Sequence, residues 1–196
     1  SRDGNQFAIS PLAVSRYHRL GGGDIDAAIL HEALIPQIRE QNDLAPFDLD
    51  FEIRKHQIEP TLLSLAETLK IGLCNDIRRL RAFKKYDPDK RESVVKKVPG
   101  VNTVPLKDGR VLRLESPTLN AQQFEEILEP FLDTDLLFHR ETEYRMTCSI
   151  FAPLKDALDS AQLDEDQVDL CLLVGGSCLI PQVVDAVKGF FPRARV

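Results

Sequence analysis

The strongest constraint on the fold is an apolar run near the end of the chain that is followed at once by a glycine turn. Residues 167–174 end in Leu-Cys-Leu-Leu-Val, and they are followed by Gly175, Gly176 and Ser177. An apolar run of this kind is typical of a strand covered on both faces. Because a helix is expected to begin at Pro181, this part of the sequence predicts a strand, a turn and a helix in succession.

The turn between this strand and this helix has properties that suit ligand binding. Glycine lets the backbone turn sharply and approach a ligand closely. A helix N-terminus presents unpaired N–H groups and a positive dipole end, and open α/β sheets bind ligands at the carboxyl ends of their strands. Considered alone, the turn is explained equally well as a plain connection.

Length and charge narrow the classes of protein. With 196 residues, the chain is long enough for one large domain or two small ones. The net charge of −6 argues against a nucleic-acid partner, because proteins that contact phosphate backbones usually have a basic face. No apolar run approaches the roughly 20 residues that span a bilayer, so we expect a soluble chain with no membrane partner.

Cysteine and methionine indicate the compartment and the extent of the chain. The four cysteines form no C-x-x-C pair and have no histidines at zinc-ligand spacing. We expect four reduced, mostly structural thiols and a cytoplasmic location, since disulfides persist mainly in oxidising compartments. Because the only methionine is Met146, the chain does not begin at a start codon, and we expect it to be a fragment of a longer protein.

Four stretches outside the C-terminal unit have helical periodicity. The first is expected to end at Pro36, and the clearest is expected to begin at Pro60, since proline is well tolerated at a first helical position. The apolar stripe of this second helix consists of Leu62, Ala66, Leu69, Leu73 and Leu80. Asn120 and Gln123 suit a capping box at the start of the third helix, and residues 150–161 form the fourth.

Alternating side chains and turn residues predict strands. Residues 47–54 alternate strictly between apolar and charged side chains, which predicts a half-buried strand or a solvated acidic arm. Residues 104–115 predict a β-hairpin, because Asp108 and Gly109 form the pair that a type I′ turn demands. Two short strands are expected within residues 7–14.

Three consecutive glycines before the first helix form a second candidate site. Gly21, Gly22 and Gly23 could cradle an anion. They match neither G-x-G-x-x-G nor a P-loop, and a flexible turn is the simpler explanation.

A polar stripe on the helix after Pro60 is a third candidate. Glu67, Lys70 and Cys74 lie at i, i+3 and i+7 and therefore share one helix face. A carboxylate beside an ammonium could hold the hydroxyl pair of a ribose, although a surface ion pair is the simpler explanation. The histidines have no mutual ligand spacing, so neither a metal site nor a catalytic histidine is expected; they are His18, His31, His56 and His139.

Taken together, these segments resemble the nucleotide-binding domain of the DnaK-type heat-shock chaperones, within the actin-like ATPase superfamily. Residues 172–181 look like the family's adenosine motif L-V-G-G-S-T-R-I-P, and residues 20–26 are similar to its H-L-G-G-E-D-F-D segment. Residues 124–127 resemble the start of its R-x-x-F-E-E-L helix, and residues 154–164 resemble its P-V-x-x-A-L-x-D-A-x-L helix. The order and rough spacing agree across nearly the whole chain.

The resemblance implies an α/β fold: a ribonuclease-H-like, actin-like ATPase lobe with an inserted smaller α+β subdomain. Residues 1–20 and 128–196 would form the base subdomain, and residues 21–127 the inserted one. This would be the second lobe of the domain. The family's phosphate-binding hairpin, catalytic lysine and metal-organising aspartates would lie upstream of Ser1, so the fragment alone is expected to be inactive.

The resemblance also implies a ligand and the residues that contact it. The ligand would be ATP or ADP, with Mg²⁺ in the intact protein. Glu67 and Lys70 would hold the ribose. The adenosine and its α-phosphate side would be approached by Gly175, Gly176 and Ser177, and the phosphate side by Gly21 and Gly22.

The sequence departs from the family at the adenine pocket. Ile71 stands where the family has an arginine on one adenine face, and Leu179 replaces the arginine that covers the other face. The loss of both guanidinium groups removes stacking worth about 1–2 kcal/mol. Cys74 replaces a serine at the base edge, residues 133–147 look like an insertion, and residues 47–54 lie where the family is helical.

Two functions from different classes follow from the resemblance and its departures. The first is the ATP-binding lobe of a DnaK-like chaperone ATPase, whose missing first lobe belongs to the same protein. The second is a degenerate, nucleotide-independent module that binds a protein through the inserted subdomain, where the family's nucleotide-exchange or co-chaperone partners bind. A sugar kinase of the same superfamily is disfavoured, because nothing in the sequence resembles a hexose site.

Overall fold

The fold mixes helices with short strands, which is consistent with the predicted α/β class. It is seen in a computed structural model that describes residues 10–15, 21–136, 140–141 and 146–196. The strands predicted within residues 7–14 lie partly outside these ranges, and the described residues among them form no regular structure. Leu20 of the glycine segment, His18 and His139 also lie outside the described residues.

Two long, interrupted helices form the centre of the molecule. The first consists of α1 (Gly22–Ile29), a π-helical turn (Leu30–Leu34) and α2 (Ile35–Gln41). The second consists of α3 (Phe51–Ile53), another π-helical turn (Arg54–Ile58) and α4 (Glu59–Ala82).

Each π turn ends two residues before a proline. A proline inside a regular α-helix has no N–H to donate, and its ring collides with the carbonyl four residues back. Here the amide of Ile35 donates to the carbonyl of Leu30, five residues back, and the turn before Pro60 repeats this pattern. The wider turn accommodates the proline. The prediction that the first helix ends at Pro36 is therefore wrong, and the helix predicted to begin at Pro60 continues a helical segment that starts at Phe51.

Residues 47–54 do not form the predicted strand. The Asp50 side chain accepts a 2.8 Å hydrogen bond from the amide of Ile53 and so caps the start of α3. The alternating apolar side chains also do not share one face, since Phe47 is 94% exposed whereas Leu49 is 1% exposed. The alternating residues therefore belong partly to the loop before α3 and partly to the first turn of that helix.

The predicted hairpin is present, with a different turn. Strands β2 (Val101–Pro105) and β3 (Val111–Glu115), which follow the short β1 (Val95–Lys97), pair antiparallel with Val104 opposite Leu112. The amide of Gly109 donates to Leu106 at 3.1 Å, and Gly109 alone has a positive φ, 91°. A type I′ turn needs two such residues, so this is a type I turn followed by a left-handed glycine.

The capping box at Asn120 is confirmed. Strand β4 (Thr118–Asn120) pairs antiparallel with β1 and leads into α5 (Ala121–Leu132). The Asn120 side chain accepts from the amide of Gln123 at 2.8 Å, and the Gln123 side chain accepts in return from the amide of Asn120 at 3.3 Å. Two of the unpaired donors at the helix start are thereby satisfied.

Side-chain amides from the first long helix pair with the edges of these strands. Gln37 donates to the carbonyl of Thr118 at 2.8 Å and accepts from its amide at 3.0 Å. Asn42 donates to the carbonyl of Arg113 at 2.7 Å and accepts from its amide at 2.9 Å. These contacts satisfy strand-edge groups that would otherwise be open to pairing with another chain.

The C-terminal part contains the predicted helices but not the predicted strand. Strands β5 (Arg140–Glu141) and β6 (Met146–Thr147) form a third antiparallel pair, followed by α6 (Phe151–Ala161), a short 3₁₀ turn (Gly176–Leu179) and α7 (Pro181–Phe190). Within residues 167–174, Leu170 forms a single parallel bridge with Arg195 in the described part of the chain.

Burial explains why residues 167–174 do not behave as a strand covered on both faces. Cys171 and Leu173 pack against the core, whereas Leu170, Leu172 and Val174 are exposed. The apolar run therefore has one covered face and one open face.

The core lies between the two long helices, α5 and α7. The leucine stripe of α4 is confirmed except for Leu80, which is half-buried. The largest fully buried side chains are Phe124, Phe131, Phe151, Ile29, Leu30, Leu34, Ile38, Leu49, Ile58, Leu69, Leu73 and Ile77. All four cysteines are free thiols. None of the helices in the described ranges has the length and apolar character needed to cross a membrane.

A hydrogen-bonded cluster joins the two π-turn regions. His31 Nε2 lies 3.0 Å from Glu59 Oε2, and Lys55 Nζ lies 2.7 Å from Glu59 Oε1. Burial lowers the pKa of His31, outweighing the opposite effect of Glu59. Burial raises the pKa of Glu59, but hydrogen bonds from Lys55 and His31 outweigh it and leave that pKa lowered. The neutral ring therefore donates from Nε2 to the carboxylate.

Replacement of Asp50 by alanine should destabilise the start of the second long helix. Loss of an N-cap side chain costs about 0.5–2 kcal/mol, because an amide of the first turn loses its acceptor. Asp50→Asn keeps an acceptor oxygen and should retain most of the stability. Urea unfolding measures both variants, and equal stability of Asp50→Ala and the unmodified chain would contradict the cap.

The His31–Glu59 pair should make the fold sensitive to acid. Both pKa values are lower in the folded chain, so the unfolded chain binds more protons and the stability from these groups is lost as pH falls. The loss begins below the ordinary histidine pKa, 6.5, and continues through the lowered folded-state values. The free energy of unfolding should decrease over this range, and His31→Gln should flatten its upper part.

His56→Gln is the matched control, because His56 is an exposed histidine of the second π turn. Its pH profile should follow that of the unmodified chain. An unchanged profile for His31→Gln would show that the buried histidine does not cause the acid sensitivity.

Candidate functional site

A cavity of about 370 Å³ lies where α1, α4 and the turn Gly176–Leu179 meet. Its walls therefore come from the three segments that the sequence singled out separately. The predicted site residues that line it are Gly22, Glu67, Lys70, Ile71, Cys74, Gly176, Ser177 and Leu179. Gly21 and Gly175 lie beside it in the chain and do not line it.

Gly21 and Gly175 shape the two turns instead. The amide of Gly21 donates to Asp24 Oδ2 at 2.6 Å, which closes the first turn of α1. Gly175 has φ 101° and ψ 165°, a conformation that is open to glycine and strained for other residues. The chain can then enter the 3₁₀ turn, where the amide of Cys178 donates to the Gly175 carbonyl at 3.2 Å.

The two glycine turns touch each other at Gly22. A β-carbon added to Gly22 would lie 2.9 Å from Ser177 Oγ and 3.6 Å from Lys70 Nζ, whereas one added to Gly23 would meet nothing within 4 Å. The close approach of α1 to the Ser177 hydroxyl therefore depends on glycine at position 22. It also brings a backbone carbonyl, a hydroxyl and an ammonium to one end of the cavity.

A buried ion pair joins α1 to α4 at this end. Lys70 Nζ lies 2.7 Å from Asp26 Oδ1, and the two side chains are 9% and 7% exposed. Lys70 also donates to the Gly22 carbonyl at 3.4 Å. An ammonium has three N–H groups, so one remains for a ligand. The alternative of a surface ion pair between Glu67 and Lys70 is wrong, because Lys70 is buried and turned to Asp26, and Glu67 is exposed at the rim.

The middle of the cavity is apolar. Ile71 is 50% exposed and Leu179 is 57% exposed, so both present aliphatic surface. Cys74 is buried, and burial raises its pKa to about 11 against the opposing influence of Lys70 and Arg78. The thiol is uncharged at neutral pH and adds to the apolar wall.

Sequence reasoning missed three lining residues, Asp26, Arg78 and Ile180, whereas Gly23 belongs to the predicted glycine cradle. Helical spacing could have found two of them, since Asp26 lies four residues after Gly22 on α1, and Arg78 lies four after Cys74 on α4. Within the described residues, no group of three or more His, Cys, Asp or Glu side chains is placed to hold a metal ion.

The site thus combines a polar end, an apolar middle and two glycine turns at helix starts, which is the arrangement of a small-molecule cavity between secondary-structure elements. Comparison with known proteins finds two matches. Residues 119–195 match the family described as Hsp70 protein. Over 180 residues the chain is 31% identical to the chaperone protein HscA homolog of Laribacter hongkongensis (strain HLHK9).

That alignment covers 89% of this chain and 24% of the relative, so the chain spans about a quarter of the relative's length. The two matches confirm the resemblance that the motifs predicted. They support the interpretation that the chain is a fragment of an Hsp70-type nucleotide-binding domain.

Loss of the ammonium from the buried pair should be strongly destabilising. Lys70→Met removes the ammonium that lies 2.7 Å from the buried Asp26 carboxylate, and breaking a buried ion pair from one side typically costs about 3–5 kcal/mol. The double variant Lys70→Met with Asp26→Leu removes both charges and should recover much of the loss. Chemical denaturation of the two single variants and the double variant measures the coupling, and strictly additive losses would contradict a direct pair.

Proposed function

We propose that this chain is the adenosine-binding lobe of an Hsp70-type chaperone ATPase. The observation that carries the proposal is the convergence of α1, α4 and the Gly176–Leu179 turn on one cavity. The family supplies the ligand class, and the cavity supplies a polar end and an apolar middle of the kind that a nucleoside requires.

The polar end suits the ribose. Glu67 offers an exposed carboxylate at the rim, and Lys70 offers the N–H that Asp26 and Gly22 leave unused. A carboxylate that accepts and an ammonium that donates can satisfy two neighbouring hydroxyls at once. The Asp26 pair fixes the Lys70 position before a ligand arrives, which reduces the entropy lost on binding.

The glycine turns suit the phosphate side. Gly22 and Gly176 allow close approach of a ligand to the backbone, and the Ser177 hydroxyl lies beside Gly22. In the proposal, Gly21 and Gly175 support these turns and do not contact the nucleotide themselves.

The remaining features of the proposal come from the family. Residues 1–20 and 128–196 would form the base subdomain and residues 21–127 the inserted one, in a cytoplasmic protein. Hydrolysis would need the first lobe, since phosphoryl transfer depends on charged groups around the transferred phosphate. Mg²⁺ would accompany the nucleotide in the intact protein, although the described residues offer no ligand cluster for it.

The alternative function is a module that binds a protein and no nucleotide. The observation that favours it is the pair of aliphatic side chains, Ile71 and Leu179, at the positions of the family's adenine-stacking arginines. In this case the inserted subdomain would bind a nucleotide-exchange or co-chaperone partner while the cavity stays without a ligand.

Calorimetric titration of the full-length protein with ADP decides between these functions. ADP should bind, and Glu67→Gln should weaken binding by about tenfold or more, because a hydrogen bond to a charged group is worth about 1.5–3 kcal/mol. Ser177→Leu should also weaken it, because the larger side chain fills the cavity beside Gly22.

Glu129→Gln is the matched control, since Glu129 is an exposed carboxylate on α5 outside the cavity. Its affinity for ADP should equal that of the unmodified protein. If the folded, unmodified protein binds neither ADP nor ATP, the nucleotide-binding function is refuted and the interaction module is favoured.

A further inference from the structure

We propose that Arg78 binds the base of the nucleotide by placing its guanidinium plane against the ring. The inference rests on the proposed function and adds a contact that lies outside every motif described above. It assigns the aromatic part of the ligand to the end of the cavity farthest from the Lys70–Asp26 pair.

The position of Arg78 on α4 directs its side chain into the cavity. Ile71, Cys74 and Arg78 lie at i, i+3 and i+7 and line the same cavity. Long side chains on a helix lean toward its N-terminus. Arg78 follows this rule, because its Nη2 donates to the side-chain oxygen of Asn75, three residues back. The guanidinium is therefore held over the turn that carries Cys74, beside the apolar wall.

The neighbouring arginines have different surroundings. Arg79 forms an ion pair with Asp76 at 3.3 Å, and Arg81 forms one with Asp185 at 2.6 Å. Among the described residues, no carboxylate forms an ion pair with Arg78, and its one recorded partner is the Asn75 amide. A guanidinium has five N–H groups and two planar faces. Arg78 thus keeps most of its binding capacity for a ligand.

The surroundings of Arg78 favour a flat ring over a compact anion. Ile71, Leu179 and the uncharged Cys74 form an aliphatic slot. Burial of the apolar faces of a ring in this slot is favourable, because it removes apolar surface from water. A guanidinium stacks on the face of an aromatic ring by cation–π attraction. A phosphate would gain nothing from the aliphatic surface.

The order of groups along α4 matches the order of groups in a nucleoside. The helix rises about 1.5 Å per residue, so the Cα atoms of Lys70 and Arg78 are about 12 Å apart along its axis. The sugar-binding groups Glu67 and Lys70 lie at one end, and Arg78 leans back from the other. A ribose at Lys70 would therefore direct its base toward the aliphatic slot and the guanidinium.

Binding of adenosine and of ADP to the full-length protein tests the inference. Adenosine has the base and no phosphate. Arg78→Ala should lower the affinity for both ligands by the same factor, about 5- to 30-fold. Arg78→Lys should recover little of this, because it restores the charge without the plane. Adding Ile71→Arg to Arg78→Ala should restore affinity, since position 71 lies two turns earlier on the same stripe.

Arg79→Ala is the control, because that arginine is engaged by Asp76 and does not line the cavity. Unchanged affinity of Arg78→Ala for both ligands would overturn the inference and leave the proposed function standing. Weakened ADP binding with unchanged adenosine binding would assign Arg78 to a phosphate and also overturn it. If the unmodified protein bound neither ligand, the proposed function and the inference would fail together.

Discussion

The buried ion pair between Asp26 and Lys70 is the interaction on which the site depends. It joins the first turns of α1 to the middle of α4 at 2.7 Å, with both side chains more than nine-tenths buried. Two charges removed from water stabilise a fold poorly unless they hold each other in good geometry. Their value here is positional, because the pair fixes Lys70 beside Gly22 and therefore sets the distance between the two helices that form the cavity.

The two π turns let both helices continue past their prolines. Without them, Pro36 and Pro60 would end or kink the helices. Ile38, beyond the first proline, and Ile58, before the second, would then not continue the helices that carry Ile29 and Leu69 into the core. His31 and Glu59 then link the two π-turn regions. The cavity is thus supported at one end by the Lys70 pair and farther along by a second polar contact between the same two long helices.

The sequence predicted the parts whose signals are local. The capping box at Asn120, the leucine stripe of α4 and the helix at Pro181 depend on residues a few positions apart, and all three are present. It failed at residues 47–54, where the period of two favoured a strand over the local cap at Asp50, and at residues 167–174, where packing against distant parts of the chain covers only one face. Motifs located most of the cavity lining, and helical spacing from Cys74 could have added Arg78, but no local signal showed that Lys70 pairs with Asp26, 44 positions away.

The central claim is that three separate segments form one nucleotide site. Amide hydrogen exchange of the full-length protein, with and without saturating ADP, tests it most directly, because it reports each segment independently. The account predicts that ADP slows exchange in residues 22–26, 67–78 and 176–180 together, with little change in the hairpin formed by β2 and β3. Slower exchange in only one of the three segments, or in none of them while ADP is bound, would contradict it.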